Sequence, residues 1–123
     1  MKKLSLAIIA SVSLLLIIFY AKNDNMGSIE VGDKVPGFVL QDQNGVHYQV
    51  NSEMGKAMVI YFYPKDDTPG CTKEACKFRD DFESFSDLET LVIGISGDSV
   101  ESHKNFEEKY KLPFVLLSDI KNE

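Results

Sequence analysis

The chain carries two cysteines, Cys71 and Cys76, five residues apart, and they are its strongest candidates for covalent chemistry. They lie in the stretch Pro64-Lys65-Asp66-Asp67-Thr68-Pro69-Gly70-Cys71-Thr72-Lys73-Glu74-Ala75-Cys76. Thr68 followed by Pro69 is a helix start, a hydroxyl residue at the cap and a proline at the first helical position. Cys71 then falls in the first turn, where N–H groups lack intrahelical acceptors and the helix dipole favours an anion, so a thiolate is stabilised there. Thr68 is close enough in sequence to offer a hydroxyl hydrogen bond to that thiolate or to a bound oxygen. Lys65 and Lys73 favour the anion, whereas Asp66, Asp67 and Glu74 oppose it.

Cys76 raises a geometric question. In an intact helix, Cα atoms five residues apart lie about 8–9 Å from each other. A disulfide needs them within about 7 Å. A Cys71–Cys76 bond therefore requires the first helical turn to unwind, giving a helix when reduced and a loop when oxidised. The plainer alternative makes Cys76 a small apolar residue on the core face and Cys71 an incidental surface thiol.

A strand must deliver this loop. Ala57-Met58-Val59-Ile60-Tyr61-Phe62-Tyr63 is apolar on both faces and reads as a central strand covered on both sides, ended by Pro64. Open α/β sheets place their sites at such C-terminal strand ends. The helix that follows carries Ala75, Phe78, Phe82 and Phe85 on one apolar face. Leu91 to Ser96 reads as a second buried strand. Ser99 caps a helix through Val100, Phe106 and Tyr110 that Pro113 stops, and Phe114 to Leu117 reads as a third strand. Upstream, Val35 to Leu40 reads as an irregular edge segment because Pro36 cannot donate to a ladder, and Asn44-Gly45 begins a hairpin return through His47, Tyr48 and Val50. Strands alternating with helices predict an α/β fold with a parallel core. Ile120 to Glu123 follows directly on the third strand. A three-strand sheet would leave a long open edge there, so the pattern predicts a fold cut short at its C-terminus.

Composition narrows the class. At 123 residues with two cysteines, the chain has room for one domain held by hydrophobic packing rather than by disulfide staples. The formal net charge is -6. An acidic domain repels phosphate backbones, which excludes nucleic acid as a partner. At the N-terminus, Lys2 and Lys3 precede an apolar run, residues 4–21, which as a helix spans about 27 Å. This predicts a membrane anchor or signal sequence over residues 1–22, a linker at 23–28 and a globular domain at 29–123. The basic residues place the domain on the extracytoplasmic side. A cleaved signal, with export of the domain, is the rival reading, although Phe19-Tyr20-Ala21-Lys22 lacks the small-x-small pattern of a cleavage site.

Pro64-x-x-x-Thr68-x-x-Cys71 is similar to the active-site motif of the peroxiredoxins, and CTKEAC resembles their Q-type subgroup, the bacterioferritin comigratory protein family. The likeness runs over most of residues 29–119, including VGDKVPGF and PFVLLSD. The resemblance implies a thioredoxin-like fold with a central mixed sheet and flanking helices. It further implies that Cys71 is the peroxidatic residue, that Thr68 and Pro64 shape and shield its pocket, and that Cys76 is the resolving residue. The implied reaction reduces hydrogen peroxide and organic hydroperoxides through a Cys71 sulfenic acid and a Cys71–Cys76 disulfide, recycled by a thioredoxin-like dithiol, with no cofactor. The family also uses an arginine from a later strand. Arg79, the chain's one arginine, stands two helical turns past Cys71, so the resemblance places the family arginine beyond Glu123 and leaves a weak or inactive enzyme as one reading.

Other features carry less. His47 and His103 read as surface residues, Asp66 and Asp67 as solvated loop acids, and Arg79 as a partner of Asp80, Asp81 or Glu83. An anchored thiol–disulfide oxidoreductase is the second functional class, weakened by the lack of C-x-x-C. A metal-binding or redox-sensing module using Cys71, Cys76 and a distant histidine is the third, although C-x4-C is wide for zinc.

Overall fold

The computed structural model describes residues 28–52 and 54–122. The chain divides into two units, Met1–Asp33 and Lys34–Glu123. In the first, the described residues close a turn with the Asp33 N–H on the Glu30 carbonyl at 3.0 Å. The expected anchor over residues 4–21 lies outside the described residues, and among those described no helix is long and apolar enough to cross a membrane.

Among its described residues the second unit holds five strands and three helices: β1 (Phe38–Asp42), β2 (His47–Val50), β3 (Met58–Phe62), α1 (Pro69–Asp80), α2 (Phe82–Asp87), β4 (Leu91–Ser96), α3 (Val100–Tyr110) and β5 (Val115–Ser118). They form one sheet in the order β2-β1-β5-β4-β3. β3, β4 and β5 run parallel, and β1 runs antiparallel to both β2 and β5. The α/β class and the mixed sheet are as the sequence implies. The hairpin forms because the Asp42 carboxylate accepts the N–H groups of Asn44 at 2.8 Å and Val46 at 2.9 Å, while Gly45 takes a φ of +76° that a side chain would disfavour.

Three expectations are corrected. β3 is an edge of the described sheet, paired only with β4, and Phe62 at its end is 74% exposed. Its apolar residues on both faces nevertheless find cover: Tyr61 packs on the helical side, while Met58 and Ile60 pack with the opposite cluster. The open edge expected on the third strand does not exist, because Gln41 and Asp42 of β1 pair with Ser118 and Leu117 of β5. That edge therefore gives no ground for a shortened fold. Finally, the phenylalanine-bearing helix is two helices, broken at Asp81 with φ -91° and ψ 4°.

The core follows the alternation along β4. Val92 belongs to a cluster with Tyr61, Tyr63, Cys71, Ala75 and Phe106, and Ile93 and Ile95 join Val50 and Leu117 in another. Gly94 is required by close approach. A Cβ there would stand 2.8 Å from both Cζ and Oη of Tyr61 and 3.0 Å from Cδ2 of Leu116. Gly94→Ala is accordingly expected to cost about 1–3 kcal/mol through overpacking, read as a lower urea midpoint at an unchanged slope.

Candidate active site

The loop that carries the chemistry leaves the sheet where β3 ends. The Tyr63 N–H still bonds the Ile95 carbonyl at 3.1 Å, but Pro64 has no N–H to continue the ladder, and it lies exposed. Asp67 adopts a left-handed φ of +58°. Thr68 is extended, Pro69 opens α1, and the Thr72 N–H closes the first turn on the Thr68 carbonyl at 2.9 Å. The helix start is where the sequence puts it. The Thr68 hydroxyl makes no capping bond; it donates to the Lys65 carbonyl at 2.9 Å, which pins the loop behind the helix.

Cys71 is the third residue of α1 and is 7% exposed, packed into the cluster that holds Tyr61, Tyr63 and Ala75. Cys71 is therefore not the surface thiol of the plainer alternative. Cys76 is half-buried on the same unbroken helix, and both are free thiols. A bond between them thus requires α1 to open, as helix geometry demands. Arg79 bonds Asp80 through Nε at 3.0 Å and donates from Nη1 to the Tyr110 carbonyl at 2.8 Å, so it ties α1 to the end of α3. The Tyr61 hydroxyl and the Thr72 hydroxyl are buried without a hydrogen-bond partner. Burial, followed by the negative charges of Glu74, Asp66 and Cys71, pushes the Tyr61 phenol well above its ordinary range.

Two adjacent carboxylates hold the loop against α3. Asp66 is buried; its Oδ1 accepts from the Tyr63 hydroxyl at 2.7 Å and its Oδ2 from the Ser102 hydroxyl at 2.8 Å. His103 Nδ1 stands 2.7 Å from the same Oδ2. The Asp66 N–H donates to Asp98 Oδ2 at 2.7 Å. Asp67, one residue on, takes Lys109 Nζ at 2.6 Å and the Tyr110 hydroxyl at 2.5 Å. Burial pushes the Asp66 carboxyl up, but the bonds from His103, Tyr63 and Ser102 outweigh it and hold it below the ordinary value. Lys109 and Tyr110 likewise hold the Asp67 carboxyl low.

His103 is therefore not the surface residue expected: it is fully buried. A sequence signal existed, because His103, Phe106 and Tyr110 fall at helical spacing on the face of α3 that meets the sheet. Asp66 is buried rather than solvated, whereas Asp67 stays exposed and is bonded by Lys109 and Tyr110, partners that no local pattern foretells.

Asp66, Asp98 and His103 place one donor atom each within 4.8 Å of one another. These atoms are joined by hydrogen bonds: Asp98 Oδ2 accepts from the Ser96 hydroxyl at 2.8 Å as well as from the Asp66 N–H, and His103 Nδ1 lies against Asp66 Oδ2. Among the described residues this is the sole such grouping, and neither cysteine belongs to it.

A model of the AhpC/TSA family matches residues 31–123. The chain belongs to that family. It is 52% identical over 102 residues to the chloroplastic peroxiredoxin Q of Sedum lineare, covering 83% of this chain and 55% of that one. It is 51% identical over 92 residues to the peroxiredoxin Bcp of Bacillus subtilis (strain 168), covering 75% of this chain and 59% of that one. Among solved structures it superposes on the bacterioferritin comigratory protein of Xanthomonas campestris with a TM-score of 0.66 at 38% identity, over 69% of this chain and 54% of that one. The chain spans about half the length of the curated relatives it matches. The resemblance to Q-type peroxiredoxins is borne out, and the sheet is that of a thioredoxin-like fold. These matches correct the expected membrane-anchored, extracytoplasmic placement: the relatives are chloroplastic or bacterial peroxiredoxins, and the described helices include no span.

Proposed function

We propose that residues 29–123 form a thiol peroxidase domain in which Cys71 attacks peroxide and Cys76 resolves the product. The observation that carries this reading is Cys71 in the first turn of α1, on a proline-opened helix fed by the C-terminal end of β3. There the N–H groups of Gly70 and Cys71 have no intrahelical acceptor and the dipole favours a thiolate. The thiolate displaces one oxygen of a hydroperoxide as an alkoxide or hydroxide, which takes up a proton, and Cys71 becomes a sulfenic acid. Cys76 thiolate then expels hydroxide to form the disulfide once α1 unwinds, and a thioredoxin-like dithiol returns both cysteines to thiols by exchange. The solved structure of the Xanthomonas campestris relative is described with alkyl peroxide reduction, which supports organic hydroperoxides as substrates beside hydrogen peroxide. Thr68 and Pro64 act by shaping the loop ahead of Cys71.

Stopped-flow oxidation of the reduced protein tests the reading. Oxidation of Cys71 is expected to be orders of magnitude faster than that of free cysteine; an equal rate overturns it. Cys76→Ser is expected to keep the first step while a stable sulfenic acid accumulates, seen by trapping with dimedone and mass spectrometry.

A further inference from the structure

His103 is fully buried beside the loop that leads to Cys71, and the reaction above gives it no part. Its hydrogen-bond inventory determines its protons. Nε2 stands 3.1 Å from the Leu117 carbonyl, an oxygen that only accepts, so Nε2 must carry a hydrogen. Nδ1 stands 2.7 Å from Asp66 Oδ2. A neutral ring with its proton on Nε2 would aim a lone pair at that carboxylate oxygen, an arrangement a buried site does not tolerate. One proton must lie between them.

Asp66 already accepts from two hydroxyls, Tyr63 on Oδ1 and Ser102 on Oδ2, and both of those bonds favour the ionised carboxylate. The groups facing the imidazole are Asp66 from the loop, Tyr63 from the end of β3 with its hydroxyl 3.3 Å from Nδ1, Asp98 from the β4–α3 connection, Ser102 from its own helix and the Leu117 carbonyl from β5. None is a cation, and two are acids.

Resting on the reading of Cys71 as the reacting thiol, we infer that His103 carries a proton on each ring nitrogen and forms a buried ion pair with Asp66, and that this pair is a positioning device locking the Pro64–Thr68 loop, and with it the first turn of α1, onto α3 and β5. Asp66 lies two residues before Thr68, the cap of α1, so the pair anchors the chain close to where that helix starts. Burial pushes the Asp66 carboxyl up, and the bonds from His103, Tyr63 and Ser102 outweigh it and hold it below its ordinary value.

The test begins on the unsubstituted full chain with nitrogen-15 labelled histidine. Both His103 nitrogens are expected to resonate as protonated at pH 7, and the Asp66→Asn variant is expected to return one of them to the unprotonated range. A bare Nδ1 in the unsubstituted chain overturns the ion pair. Positioning is tested by His103→Asn, whose amide nitrogen reaches Asp66 in place of Nδ1, and His103→Gln, whose amide reaches the Leu117 carbonyl in place of Nε2. His103→Asn, which keeps the hydrogen bond to Asp66 but not the charge, is expected to retain more of the amide-exchange protection over residues 65–72 and of the Cys71 peroxide rate than His103→Gln. His103→Gln is expected to lose that protection and to slow Cys71 by about tenfold to a hundredfold, the effect of a reactive group displaced by about 1 Å. Equal effects in the two variants overturn the positioning role. A slow peroxide rate in the unsubstituted chain defeats the peroxidase reading alone, because the resonances and the exchange protection are measured without peroxide.

Discussion

Cys71→Ser is expected to abolish peroxide consumption, with the rate falling on the order of a thousandfold or more, as when any enzyme loses its nucleophile. The substitution changes one atom. A serine hydroxyl is close in size to a thiol and fits the cluster beside Tyr61, Tyr63 and Ala75, so circular dichroism is expected to show an unchanged fold. It is not ionised at neutral pH and attacks a peroxide oxygen poorly, whereas a thiolate is the reactive form of cysteine. Cys76 cannot take over. It sits in the second turn of α1, beyond the amides without intrahelical acceptors and away from the strongest part of the dipole. The measurement is loss of peroxide in the presence of a dithiol, with Cys76→Ser run beside it. Persistent turnover in Cys71→Ser would transfer the reaction to Cys76 and overturn the assignment.

Asp66→Ala is expected to be the most costly substitution for stability, at about 3–5 kcal/mol, the range found when one partner of a buried charged pair is removed. The loss has identifiable parts. The side chain of Asp66 is 3% exposed and that of His103 is not exposed at all, so water cannot replace the missing carboxylate. The hydroxyls of Tyr63 and Ser102 also lose their acceptor. Burial and the neighbouring Asp66 push the Tyr63 phenol far above its ordinary range, so it remains a donor in need of a partner at any working pH. The pH dependence follows from the sign of the Asp66 shift. Its folded carboxyl lies below the ordinary value of 3.8, so the stabilisation is complete above that value and is lost as pH falls through the lower folded value. Urea unfolding of the two proteins is expected to differ above pH 3.8 and to converge as pH falls below it. A gap that stays constant into that acidic range would show that the carboxylate charge is not what Asp66 contributes.

The local features of the site were legible because their causes lie within a few residues. Thr68-Pro69 starts a helix through the torsion of proline and the lack of its N–H, and Ser99 caps α3 by accepting from the Ser102 N–H at 3.2 Å. β4 runs from Leu91 to Ser96 as its uninterrupted apolar pattern indicates. Where the reading failed, the cause was distant in sequence. Gln43 stands just before the Asn44-Gly45 turn and carries no local signal of a core role. In the fold it is buried, donating to the Phe114 carbonyl at 3.1 Å and accepting from the Leu116 N–H at 3.0 Å, 71 and 73 residues away.

By itself, the order of residues determined the α/β class, the placement of a cysteine in the first turn of a helix and the need for that helix to open before the two sulfurs can meet. Each of these follows from backbone torsions and from spacing along one element. Only the tertiary structure decided that β1 covers β5, that β3 lies at an edge and that His103 meets Asp66 across 37 residues. Strand order and buried charge pairs depend on which surfaces come together, and a pattern of apolar residues specifies that a face will be covered without specifying what covers it.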